Sequence, residues 1–149
     1  GDIELTALPF FGEHGDLDIS SKAAWLVSAG KRNMLFAADS NNIEPKLYDI
    51  LAQHYGDIDT IFIGMECVGA PMSWVYGPLL AKNLERKNDQ SRRLNGSDSE
   101  SAIKLIDSLG CKNVYVYAMG MESWLEFIDP GNNSSKTDSI QILEAICKR

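Results

Sequence analysis

Five short apolar runs, set among segments with helical spacing, constrain the fold of this chain more than any single residue does. Residues 3–8 (Ile-Glu-Leu-Thr-Ala-Leu) alternate and predict a strand. Residues 23–28 and 33–38 predict two more, joined by the turn Ala29-Gly30-Lys31-Arg32, so 23–38 reads as a hairpin. Residues 58–63 and 113–118 predict the fourth and fifth. Pro45 and Gly56 are the start and stop signals of a helix whose Leu47, Ile50, Leu51 and Tyr55 share one face. Ser97-Asp98-Ser99-Glu100 has the form of a capping box. It opens a helix carrying Ala102, Ile103, Ile106 and Leu109, which Gly110 stops. Asp138-Ser139-Ile140-Gln141 opens a last helix through Ile142, Leu143 and Ile146. The order β, ββ, α, β, long loop, α, β, α, with no internal repeat, belongs to the α/β or layered α+β class. The loop from Met65 to Leu80 is long for a compact domain, which marks a segment that covers something or carries function.

The 149 residues fit a single domain with a sizeable core. A net charge of −7 argues against non-specific nucleic-acid binding, which needs a basic surface. No apolar run approaches the roughly 20 residues that span a bilayer, so no membrane partner is expected. The start, Gly1-Asp2-Ile3-Glu4-Leu5, has no basic segment of a signal peptide and opens almost directly into a strand, so it reads as a cut. Cys67, Cys111 and Cys147 are odd in number and lack a Cys-x-x-Cys spacing. They read as buried or partly buried free thiols of a reducing, cytoplasmic compartment.

Glu13 and Asp39 carry the chemistry. Each follows an apolar run, so each is expected at the exit of a strand, where carboxylates can converge on a metal. The alternative for Asp39 is a strand-end turn residue, and for Glu13 an acid of a loop or hinge. Only two histidines are present, His14 and His54. His14 adjoins Glu13 as a weaker ligand candidate or as a donor that orients a carboxylate. His54 falls in the last turn of the first helix and reads as a surface residue. Asp16 belongs to a loop of acids beside them. Glu66 follows a strand in an apolar setting and needs a partner there, either an arginine such as Arg92 or Arg93 or the active site itself. The locally basic stretch Lys82, Arg86, Lys87, Arg92, Arg93 reads either as a solvated loop or as a dock for an acidic partner or a phosphate.

The order of elements resembles the C-terminal half of a metallo-β-lactamase fold, a four-layered αββα sandwich with a dinuclear metal site. Ala38-Asp39-Ser40 after a strand looks like its bridging-aspartate motif. A closer likeness is to the di-iron β-hydroxylases of nonribosomal peptide biosynthesis. It is carried by Phe10-Phe11-Gly12-Glu13-His14-Gly15-Asp16-Leu17-Asp18-Ile19, by Ala38-Asp39-Ser40, and by Phe62-Ile63-Gly64-Met65-Glu66-Cys67-Val68-Gly69-Ala70-Pro71. Trp74 to Leu80, Arg92 to Asp98 and Val116 to Gly120 extend it over nearly all of the chain.

That resemblance implies that Glu13 stands where ordinary family members carry a histidine, and that Asp39 is the bridging aspartate. A carboxylate in place of imidazole turns a site toward hard oxygen donors and from zinc toward iron. It implies a di-iron cofactor, with zinc as the alternative, and a small-molecule substrate, tethered to a carrier protein. Asp16, Glu66 and Tyr117 become candidates for groups behind the ligands or lining the pocket, and Arg92 and Arg93 for carrier docking. Near the end of the final strand, where the ordinary fold has its last histidine, stands Val116-Tyr117-Ala118-Met119. The His-x-His-x-Asp-His motif of the family's N-terminal half is absent from these residues. The expectation is a fragment of a larger domain, inactive by itself. The rival readings are a metal-dependent hydrolase of the same superfamily and a metal-free docking or scaffold domain. A half-sandwich bares its inner sheet face, so a homodimer or aggregate is expected of the isolated piece.

Overall fold

The computed structural model describes residues 2–9, 22–38, 40, 45–64, 81–82, 85, 97–117, 141, 144–145 and 147–148. The five expected strands are present as β1 (Ile3–Pro9), β2 (Ala23–Ala29), β3 (Arg32–Ala38), β4 (Thr60–Gly64) and β5 (Asn113–Tyr117). Among the described residues two helices lie between them, α1 (Pro45–Tyr55) and α2 (Ser99–Ser108). The strands form one mixed sheet in the order β1-β2-β3-β4-β5. The first two pairings are antiparallel and the last two parallel. β1, β3, β4 and β5 therefore all run the same way, with β2 alone reversed.

Local chemistry explains the connections. Ala29 pairs with Arg32 across the two-residue turn Gly30-Lys31, and Gly30 has φ 63°. A left-handed first residue matches the twist of a tight hairpin, and glycine reaches it without strain. α2 ends in a Schellman arrangement in which Gly110 N–H donates to Asp107 O at 3.1 Å and Cys111 N–H to Ile106 O at 3.2 Å. Its start differs from the expected capping box. The cap is Asp98, whose Oδ1 accepts from Ser101 N–H at 2.7 Å. Glu100 lies inside the first turn and pairs with Lys104 on the exposed face instead of reaching back. Aspartate accepts at this position as well as serine does, so the helix starts one residue later.

Both helices cover one face of the sheet. Leu8, Ala24, Leu26, Leu35, Ala37, Ile61 and Ile63 point into this core and meet Tyr48 and Leu51 of α1 and Ala102, Leu105 and Ile106 of α2. Ile50 was expected on the buried side of α1 and is instead 59% exposed; Tyr48, Leu51 and the half-buried Ala52 and Tyr55 make that face. Cys111 is buried and free, as expected, whereas Cys147 is exposed and Cys67 lies outside the described residues. His54 is exposed and packs edge-on against Tyr55 at 4.6 Å, in keeping with a surface role.

The strand starts of β3, β4 and β5 are tied together by polar groups at one edge. Asn33 N–H donates to Asp59 Oδ2 at 2.8 Å, and Asp59 N–H donates back to Asn33 O at 2.9 Å. The Asn33 amide reaches Tyr55 O at 3.0 Å, and its oxygen accepts from Ser28 Oγ at 2.8 Å. Asn113 N–H and Nδ2 both donate to Asp59 O, at 3.2 and 3.0 Å. One asparagine thus joins β2, β3, the end of α1 and the residues leading into β4.

The opposite face of the sheet carries a row of aromatic rings. Trp25 pairs with Phe36, Phe36 with Phe62, and Phe62 with Tyr115 across four strands. The Phe36 and Phe62 rings stack at 4.6 Å, and Phe62 and Tyr115 at 4.9 Å. Trp25 is 48% exposed and Tyr115 57%, and Ile3 and Leu5 extend the exposed apolar surface toward the sheet edge. A sheet apolar on both faces is built for burial on both. This is the helix-and-sheet pair that an αββα sandwich contains twice, and the chain has the fold of one such half.

Two outcomes follow from these contacts. Asn33→Ala removes the part-buried side-chain bonds to Ser28 Oγ and Tyr55 O and is expected to lower stability by about 1–2 kcal/mol, read by urea denaturation. The 149 residues expressed alone are expected to self-associate in sedimentation velocity, and Phe36→Lys with Tyr115→Lys is expected to restore a monomer. A monomeric unmodified chain would contradict the second.

Candidate metal centre

Four parallel strands place their C-terminal ends on one edge of the sheet. Those ends are Pro9, Ala38, Gly64 and Tyr117, and the register holds them level: Ala38 faces Ile63, and Gly64 faces Tyr117. In open α/β sheets this is the edge outside which ligands bind. The segment carrying Glu13, His14 and Asp16 leaves from Pro9, Asp39 follows Ala38, and Glu66 follows Gly64 by two residues. These five residues, and Arg92 and Arg93, lie outside the described residues. The described strand ends nonetheless bring the departure points of all the candidate acids to the same side of the molecule. Tyr117 is described: it ends β5, opposite Gly64, 45% exposed on the bare aromatic face.

Ala37, Ala38 and Ser40, on either side of position 39, are described. Phe36 pairs with Phe62 but Ala38 pairs with Ile63, so β3 carries a bulge at Ala37. Bulges bend a strand and recur beside active sites. Ala38 then has φ 48°, the left-handed region, among the described residues the only non-glycine with positive φ. For an alanine this conformation costs about 1–2 kcal/mol.

Ser40 N–H donates to Ala37 O at 3.0 Å, closing a four-residue turn from Ala37 to Ser40. Ser40 Oγ donates to the same carbonyl. Tyr48, in the first half of α1, hydrogen-bonds Ser40 in turn. Ser40 and Tyr48 are each 1% exposed. Burial pushes the Tyr48 phenol far above its ordinary range, and Ser40 only partly opposes that, so the phenol stays neutral. Neither residue was singled out from sequence. The available signal was Tyr48 lying between Leu47 and Leu51 at helical spacing, a phenol on a buried face that must find a partner.

Elsewhere the described residues offer no rival centre. Among them no three of His, Cys, Asp and Glu come together. A cleft lined by Ile103, Ile106, Cys111, Lys112, Asn113 and Tyr115 opens at the opposite edge and contains no carboxylate or imidazole from these residues. Burial raises the Cys111 thiol above its ordinary value, and Cys111 Sγ donates to Asn113 O at 3.2 Å, the setting of an unreactive thiol.

No family model matches the chain. One curated relative is 55% identical over 125 residues: the 4-amino-L-phenylalanyl-[CmlP-peptidyl-carrier-protein] 3-hydroxylase of Streptomyces venezuelae. The match takes in 84% of this chain and 24% of the relative. Among solved structures, the di-iron β-hydroxylase CmlA from Streptomyces venezuelae superposes with a TM-score of 0.74 at 47% identity, over 99% of this chain and 29% of that one. A variant of CmlA β-hydroxylase with one glutamate replaced by aspartate superposes with a TM-score of 0.73 at 48% identity, over 99% and 28%. The chain thus spans about a quarter of the length of the proteins it matches.

The left-handed Ala38 yields a direct check. Ala38→Gly removes the strain but adds flexibility to the unfolded chain, so a net gain of up to about 1 kcal/mol is expected in thermal denaturation. Ala38→Val is expected to lose more than about 1 kcal/mol, because β-branching is worst in this region.

Proposed function

We propose that this chain, a homologue of the di-iron β-hydroxylases, is the C-terminal part of such an enzyme and hydroxylates an amino acid held on a peptidyl carrier protein. The observation that carries the reading is 55% identity over 125 residues to a carrier-dependent 3-hydroxylase. The donor chemistry fits the metal. Glu13 and Asp39 are hard oxygen donors, suited to iron, on segments that leave one sheet edge. Asp39 and Glu13 would be among the ligands that hold the two irons, with His14 as a further ligand or as a donor to a carboxylate. The remaining ligands would come from the part of the enzyme outside these residues. When bound, the irons would supply the activation of O₂ for insertion of one oxygen atom into a C–H bond, the other leaving as water with two electrons from an external reductant.

The chain's own groups have defined tasks in this scheme. Asp39 and Glu13 would supply carboxylate oxygens to the metals. Glu66, two residues after β4, and Tyr117, at the end of β5, line the approach to the same edge. Arg92 and Arg93 receive the acidic carrier or its phosphopantetheine phosphate, since the guanidinium fork matches a phosphate in two bonds. Reversing both arginines to glutamate is expected to weaken carrier binding about tenfold and to flatten its salt dependence, measured by titration calorimetry at two ionic strengths.

The full-length protein tests the reading directly. Two irons per polypeptide, with uptake of O₂ and gain of one oxygen atom by the carrier-bound amino acid, are the expected result. Zinc alone, with hydrolysis of an ester or lactone, would overturn it in favour of a hydrolase of the same fold. Glu13→His is expected to raise the zinc-to-iron ratio of the purified protein several-fold, because imidazole suits zinc at least as well as iron.

A further inference from the structure

We draw no further inference here: the strongest candidate, the buried and unpartnered Ser97 hydroxyl beside the N-terminus of α2, carries nothing, because the Asp98 carboxylate already caps that terminus and nothing in the structure aims the hydroxyl at a ligand.

Discussion

The architecture depends on the hydrogen bonds that Asn33 and Asp59 exchange. Sheet registers are otherwise free to slip, and a slip of one residue turns every side chain to the other face. In this sheet such a slip would drive Phe36 and Trp25 into the helix-covered core and expel Leu35 and Leu26. Asn33 prevents it by binding two neighbouring strands and the carbonyl end of α1 through one side chain and its own backbone. Asn113 extends the same lock to β5 through the carbonyl of Asp59. Once the strand starts are level, the strand ends are level too, and the loops that follow Pro9, Ala38, Gly64 and Tyr117 share one edge.

The two edges divide the work. At the starts, polar groups are paired within ordinary backbone conformations, and the outcome is rigidity. At the ends, β3 takes an extra residue and then a left-handed alanine, which local energetics alone would not select. Ser40 and Tyr48 compensate from outside the sheet. Stable folding concentrates at one edge and controlled strain at the other, which is the arrangement expected when geometry at a strand exit is needed for chemistry.

Much of this was legible in the residues. Apolar runs and glycines located all five strands, the hairpin and the helices α1 and α2, because periodicity and punctuation are local properties. The likeness of Ala38-Asp39-Ser40 and its neighbouring strings to the di-iron hydroxylases pointed to the family, and the comparisons bear that out. The misses have physical causes. Ile50 fits the helical period, yet α1 presses on the sheet with Tyr48, Leu51, Ala52 and Tyr55, and the period does not say how wide the contact is. The bulge at Ala37 leaves no trace in composition, because alanine suits both a regular strand and a bulged one. Ser40 and Tyr48 are eight residues apart, and their bond exists only because α1 folds back over the end of β3. Glu13, His14, Asp16, Asp39, Glu66, Arg92 and Arg93 remain assignments from sequence and likeness.

The aromatic row has a thermal consequence. Whatever surface lies against Trp25, Phe36, Phe62 and Tyr115 is held by burial of apolar area rather than by directed polar bonds. That attraction is entropic near room temperature and fades on cooling. Contacts made over the rings are therefore expected to weaken as the temperature falls.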